Sequence, residues 1–456
     1  MDNWTSITYI GLLLFIFSCE QDEFEIEVEQ ELAGGETTIF SSGPDAYTFP
    51  LANLDDNGIA QHFLADGVFG QQFVSAPANQ FGGIGPLFNQ NSCEGCHIRN
   101  GRSTVPEFDG DSNSGLLLRI SLSGTSANGA IIPVPGFGGQ LQTKGVFGVQ
   151  AEGKISKIEV SEIVEYIDGQ SVVLTKPIYN ITNPYISIPQ NVLISPRMAP
   201  PVHGLGLLEA IREIDILQLE DEADANGDGI SGRVNKVWDI LEEKIAIGRF
   251  GWKAEQPTAG QQAADAAHND IGLTNFYFEE EHCEEQDNCS EGLQESFDID
   301  RETTDLFAFY FQTLAVPARR NQTDPIIQKG KELFSKAKCN SCHKERFITG
   351  DHNIVALSNQ VIFPYTDILL HDMGNGLGDN RPTFLANGQE WRTAPLWGIG
   401  LTQIVNERAT FLHDGRAKTL EEAILWHGGE GEESRDLFMK FNSIERSELI
   451  AFVNSL

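Results

Sequence analysis

Two short stretches hold the residue types best suited to chemistry: Cys93-Glu94-Gly95-Cys96-His97 and Cys339-Asn340-Ser341-Cys342-His343. Two thiols three positions apart can add to the two vinyl groups along one edge of a haem, and the adjacent histidine then reaches the iron. The other ring nitrogen of that histidine can donate to a backbone carbonyl and so fix the ring. A zinc site built from both pairs is the main rival, but it would leave a histidine unused after each pair. Structural disulfides are the third reading. The spacing favours two covalently attached c-type haems, held by Cys93, Cys96, His97, Cys339, Cys342 and His343, and redox chemistry as the class of function.

The other three cysteines have separate assignments. The apolar run Ile10–Phe17 is too short to span a bilayer alone and ends in Ile16-Phe17-Ser18-Cys19, which resembles a bacterial lipobox. Residues 1–18 are then a lipoprotein signal peptide and Cys19 carries the lipid, although only Asp2 is charged before the apolar run. Export suits haem attachment, which takes place outside the cytoplasm. The expected location is the periplasm or outer membrane of a Gram-negative bacterium, with the lipid on Cys19 as the membrane contact. Cys283 and Cys289 are expected to bridge as a small disulfide loop in that compartment.

The chain has 31 Lys and Arg against 66 Asp and Glu, a formal charge of -35. That balance excludes nucleic acid and anionic membrane surfaces as partners and suits a basic electron-donor or electron-acceptor protein. Adaptation to a salty exterior explains it equally well. The acidic stretch from Glu20 to Glu31 reads as a solvated tether.

Around these groups the sequence must supply positioning elements. A helix over Ile326–Lys336 leads into the second Cys motif, and helices over Thr419–Trp426 and Glu445–Leu456 follow it, the layout of a small c-type cytochrome domain. Leu116–Leu122 reads as a strand, Gly124–Gly148 as loop or hairpin, and Ile155–Val173 and Tyr179–Leu193 as short antiparallel strands. Gly204–Leu219 has the periodicity of one helix. The expected fold class is mainly α: two cytochrome c-like haem domains, with β-strand and loop elaborations between the haem motifs. The expected boundaries are 1–18 signal, 19–50 acidic tether, 51–320 first haem domain and 321–456 second haem domain. Arg99 and Arg102, just after the first motif, read either as haem-propionate partners or as surface residues.

Asp224-Ala225-Asn226-Gly227-Asp228-Gly229-Ile230 places oxygens at alternate positions around a glycine turn. This is the spacing of a calcium loop, with Asp224, Asn226 and Asp228 as side-chain ligands and Ile230 giving a carbonyl. Its twelfth position is Asn235 rather than Glu, and a bare Asx-rich turn is the competing reading. No G-x-S-x-G elbow, H-E-x-x-H or P-loop points to hydrolysis or phosphate chemistry.

Longer segments carry a resemblance. They include Ser195-Pro196-Arg197-Met198-Ala199-Pro200, Gly204–Ile211, Gly248-Arg249-Phe250-Gly251-Trp252-Lys253 and Leu314–Arg320. In the second half they include Pro364-Tyr365-Thr366-Asp367, Leu370-His371-Asp372-Met373-Gly374, Glu390–Gly398 and Phe411-Leu412-His413-Asp414-Gly415-Arg416. From about Gly58 to Leu456 the chain resembles the di-haem oxidoreductase family, sometimes labelled thiol oxidoreductase, a branch of the bacterial di-haem cytochrome c peroxidase and MauG superfamily. The resemblance implies a sixth ligand to the C-terminal haem at the end of Thr419–His427, hence His427, with Met373 as the runner-up. It implies a reactive N-terminal haem with a nearby proton-moving carboxylate, for which Glu209 is the nearest match. Met198, His62 and His203 could instead close that site as sixth ligands. Trp238, Trp252, Trp391, Trp397 and Trp426 all suit an electron relay by type, or core packing. The function expected is an exported di-haem oxidoreductase passing electrons between two haems, peroxidase-like or oxidising a partner. The alternatives are a lipid-anchored electron-transfer protein without substrate chemistry, and a structural or metal-uptake accessory protein.

Overall fold

The computed structural model describes residues 30–78, 80–282 and 297–456; Cys19, Cys283 and Cys289 lie outside them. Four helices form two packed pairs. α1 (Asp56–Phe69) begins where the Asp55 side chain accepts from the Gly58 amide, and α2 (Arg301–Thr313) where Asp300 accepts from Thr303. Each cap satisfies an amide that the first helical turn leaves unpaired. His62, Ala65 and Phe69 share one face of α1 and pack on Phe307, Tyr310 and Phe311 of α2.

α3 (Pro325–Lys336) starts with Pro after an Asp324 cap, and α4 (Ser443–Ser455) opens on an Asn442–Glu445 capping box. They approach most closely at Gly330, where an added Cβ would stand 2.1 Å from the Glu448 carbonyl oxygen. Each pair presents a phenylalanine to one Cys motif. Phe69 lies 6.3 Å from the His97 ring, and Phe334 6.2 Å from the His343 ring.

Strands fill the space between. β1 (Leu116–Thr125) and the later Leu193–Met198 strand run antiparallel, with Leu116 opposite Met198 and Ser121 opposite Leu193; Ile131–Ile132 joins the other edge of β1. β2 (Lys154–Glu165) and β3 (Ser171–Thr182) form a long hairpin in register from Lys154–Thr182 to Glu165–Ser171. Pro177 is tolerated because each strand of this two-stranded sheet has a free edge. The hairpin base packs Ile155 and Tyr179 beside Leu118 and Met198. Its tip docks on the C-terminal half, where Arg446 of α4 bonds to Asp168 and Gln170 and lies 3.7 Å over the Tyr166 ring. With Leu193–Met198 taken as β4, the last pair of interest is β5 (Leu370–Asp372) with β6 (Glu390–Arg392), placing His371 opposite Trp391.

This architecture corrects the expected mainly-α class. Helix makes up 28% and strand 20%, so the class is mixed α/β with several small sheets. The helical periodicity recognised beside the Cys motifs is real, but much of the remaining chain is spent on hairpins, turns and extended segments rich in Gly and Pro. Gly204–Leu219 is two short helices, Leu205–Glu209 and Glu213–Leu217. The break comes at Ile211, which bridges Thr349, while the Ala210 carbonyl accepts from the Gly350 amide. The stretch assigned to the tether is also packed from Gln30 onward. Ala33, Ala46 and Tyr47 are buried, Ile39 bridges Pro317 and Pro50 bridges Leu314. Among the described residues no helix is long and apolar enough to cross a membrane.

Candidate haem-binding sites

Both Cys motifs fold into a tight turn that brings thiols and imidazole together. The His97 amide bonds to the Cys93 carbonyl at 2.9 Å and the His343 amide to the Cys339 carbonyl at 3.0 Å. Each ring is then fixed from outside its loop. His97 Nδ1 lies 2.8 Å from the Pro200 carbonyl oxygen and His343 Nδ1 2.9 Å from that of Tyr365. A carbonyl only accepts, so Nδ1 carries the proton and Nε2 presents a lone pair, the tautomer an axial iron ligand needs. Burial pushes both imidazoles down to about 4, with the carbonyl bonds opposing it, so both are neutral at pH 7.

The surroundings fit a buried flat cofactor. Cys93, Cys96, Cys339 and Cys342 are free thiols. His97, Cys339, Cys342, His343 and His427 are half-buried, so each keeps accessible surface. His427 has the same tautomer as the two proximal histidines, because its Nδ1 donates to the Ala423 carbonyl at 2.8 Å. His427 is close enough to His343 for their charges to interact, and Met373 lies beside it, both touching the position a Gly431 Cβ would occupy. The structure thus gathers both candidates for the sixth ligand of the second haem at one place.

His371 has a different environment. Nδ1 lies 2.7 Å from Glu430 and Nε2 2.9 Å from Asp367. Both partners are carboxylates, so both nitrogens donate and neither has a lone pair for a metal. Burial pushes this imidazole down, but Asp367, Cys342 and Glu430 outweigh it and raise the group well above the usual histidine range. Cys342, Asp367 and His371 form the only close Cys/His/acid cluster among the described residues. Its histidine is nonetheless an imidazolium rather than a ligand.

His413 joins two tryptophans in an aromatic column. His413 stacks on Trp391 with centroids 3.8 Å apart and meets Trp252 edge-on at 6.4 Å. Trp252 Nε1 donates to the Met198 carbonyl, two residues before Pro200. Trp391 lies opposite His371 and donates to Leu377. Trp252 and Trp391 are therefore tied to the segments supporting both histidines. Trp397 packs near Leu207, and Trp426 lies under the Arg416 guanidinium.

Other sequence-selected residues are placed elsewhere. The Glu209 carboxylate accepts from the Ala259 amide (2.7 Å), Gln312 Nε2 (2.6 Å) and His352 Nε2 (3.3 Å). Burial raises its pKa, but these bonds outweigh burial and hold it below the usual range. All three partners belong to the scaffold rather than to the Cys93–His97 loop. His62 sits in the α1–α2 interface bonded to Thr313, and His203 stacks on Tyr47. Met198 is buried in the β1–β4 core. Asp224, Asn226 and Asp228 accept from the amides of Gly229, Asp228 and Ile230, a set of nested Asx turns. Asn235 points inward, bonding to Lys253, Thr383 and Leu385. Arg99 is half-exposed and bonds to Val405; Arg102 is buried over Trp252.

Asp270 was missed by sequence reasoning. Its charge raises the Cys93 and Cys96 pKa values, adding to the larger effect of burial. Burial pushes the Asp270 carboxyl up to about 6, against the Arg119 charge and a 2.9 Å bond from Gln140. The sequence signal was slight: a single acid in Asn269-Asp270-Ile271-Gly272, at the end of a helical turn.

A family model described as "Di-haem oxidoreductase, putative peroxidase" matches residues 27–456. The chain belongs to this di-haem oxidoreductase family, so haem is its cofactor class. No curated protein and no solved structure matches the chain significantly.

Proposed function

We propose that this chain is an exported, lipid-anchored di-haem c-type oxidoreductase with peroxidase-like chemistry at the N-terminal site. The observation that carries the reading is the repeated arrangement of His97 and His343. Each follows a pair of free thiols, donates through Nδ1 to a carbonyl and leaves Nε2 available. Cys93 and Cys96 hold one haem and Cys339 and Cys342 the other, and His427 closes the second site. Bound haem supplies a one-electron iron couple at each site and, where its sixth position is open, a place for peroxide.

The chain's own residues account for the rest. Asp270, whose charge acts on the first thiol pair and whose carboxyl burial pushes up to about 6, is suited to hold and release a proton on that side of the molecule. It takes the role that the family resemblance suggested for Glu209. Trp252, His413 and Trp391, whose rings meet one another, are the path assigned to electrons between the two sites. Lipid on Cys19 holds the protein at a membrane, and the acidic surface favours a basic redox partner.

Haem analysis and electron paramagnetic resonance of the oxidised, purified protein test the proposal. Two covalent haems with one high-spin and one low-spin ferric signal are expected. Two low-spin signals unchanged by peroxide or partial reduction would make the protein an electron carrier. Absence of haem after expression with a working c-type maturation system would overturn the reading.

A further inference from the structure

Most buried cations in this protein are matched within the chain. Lys253 meets Asp379 at 3.0 Å, Arg119 meets Asp265 at 3.0 Å and Arg416 holds Asp414 at 2.7 Å. Arg381 makes no hydrogen bond to a carboxylate, but Asp379 lies beside it. Arg102, Arg249 and Arg392 differ, each bonding to backbone carbonyls, Arg249 to that of Leu208 on the short helix that carries Glu209. Arg102 bonds to the carbonyls of Thr410 and Leu412, and Arg392 to those of Gly251 (3.0 Å) and Thr393 (3.3 Å). Among the described residues neither guanidinium has a hydrogen bond or ion pair with a carboxylate. A chain with 66 acidic residues has carboxylates to spare. A buried guanidinium that meets only neutral carbonyls is costly unless its counter-charge comes from outside the chain. Burial holds both groups down at about 10, opposed by Tyr47 and Asp414 at Arg102 and by Glu255 and Asp367 at Arg392, none of them within ion-pair distance, so both remain cations at pH 7.

Their positions say where that charge lies. Arg102 follows the first Cys motif, and its neighbour Ser103 presses on Gly115 together with Cys96. The residue after Arg392, Thr393, accepts from Thr366, which follows the Tyr365 that holds His343. Arg392 is half-buried, as His343 is. Both arginines meet Trp252: the Arg102 guanidinium lies 5.2 Å from the ring centroid, and the Arg392 amide donates to the Trp252 carbonyl at 2.9 Å.

We propose that Arg102 and Arg392 anchor the haem propionates, Arg102 for the haem on Cys93 and Cys96 and Arg392 for the haem on Cys339 and Cys342. This rests on the di-haem reading above. It separates Arg102 from Arg99, whose half-exposed side chain reaches Val405 and Asp45 at the surface.

The test uses full-length holoprotein carrying Arg102→Gln, Arg392→Gln or the matching Lys substitution. Haem is counted first by the pyridine haemochrome method. Wild type with fewer than two haems overturns the di-haem reading itself, and this proposal with it. With two haems present, a redox titration followed by electron paramagnetic resonance gives each potential separately. R102Q is expected to lower only the first haem's potential and R392Q only the second's, because an uncompensated propionate favours ferric iron. Lysine keeps the charge but loses the two-pronged geometry, so it should leave a smaller fall at the same haem. Unchanged potentials, equal shifts at both haems, or a shift at the opposite haem would overturn the assignment. If the Gln variants do not accumulate, the Lys variants decide: a fall confined to the matching haem supports it, and none refutes it.

Discussion

A ring nitrogen bonded to a carbonyl must donate, and that leaves its partner nitrogen free to bind. His97, His343 and His427 all meet this condition, although their carbonyls come from three unrelated places: Pro200, Tyr365 and Ala423. The first two histidines were legible in the sequence because the Cys spacing names them. The carbonyls were not, since Pro200 and Tyr365 reach their histidines only through the folded chain. Replacing His427 with Ala should open the second iron, converting its low-spin ferric signal to high-spin with both haems still attached; an unchanged spectrum would move the ligand to Met373 or elsewhere. Asp270 could not be read from sequence, because nothing local marks which of many acids faces a thiol pair far away in the chain. Asp270→Asn should cut peroxide turnover by roughly 10²–10⁴-fold, the usual contribution of a positioned proton-transfer group. Glu209→Gln should instead act mainly on stability, because its carboxylate holds the helix start at Ala259; Tm compared with turnover for the two variants separates the roles.

At the scale of elements, helices were legible where apolar periodicity and caps coincide, as in α3 and α4. α1 was overlooked because its buried face is only His62, Ala65 and Phe69, while Phe63 and Leu64 are exposed and blur the period. The long β2–β3 hairpin was read as shorter strands, since alternation identifies strand character but not the partner or the register. Gly330 shows how tightly the elements fit. Gly330→Ala would press a methyl against the Glu448 carbonyl and Phe452, forcing α3 and α4 apart. The expected cost is about 1–3 kcal/mol, the usual range for overpacking, seen as a lower thermal midpoint. An unchanged midpoint would mean that the helices shift without penalty.

Over the whole molecule, buried histidines set the response to acid. Burial pushes His62 and His203 down to about 4 and His413 to about 3, with Asp66, the Trp397 carbonyl and Asp414 respectively opposing it. In the unfolded chain these groups bind protons near pH 6.5, so between there and about pH 4 the unfolded state takes up more protons. Their stabilisation is present above pH 6.5 and is lost as pH falls through about 4. His371 has the opposite sign: its pKa is raised, so its contribution is lost as pH rises through that higher value. Denaturant midpoints of the holoprotein should therefore fall between pH 7 and pH 5, and less so in a His203→Gln variant; a flat profile would show that these rings are not neutral in the fold. The sequence by itself marked the two thiol pairs and their histidines, on which the proposed covalent attachment rests, because that spacing is a local fact. It also supplied the segments by which the family is known. Tertiary structure alone decided the mixed α/β class, the carbonyls that orient the histidines and the carboxylate whose charge acts on the first thiol pair. It also decided which tryptophans meet His413. Each of these depends on residues distant in the chain meeting in space, and local propensity and spacing carry no information about such meetings.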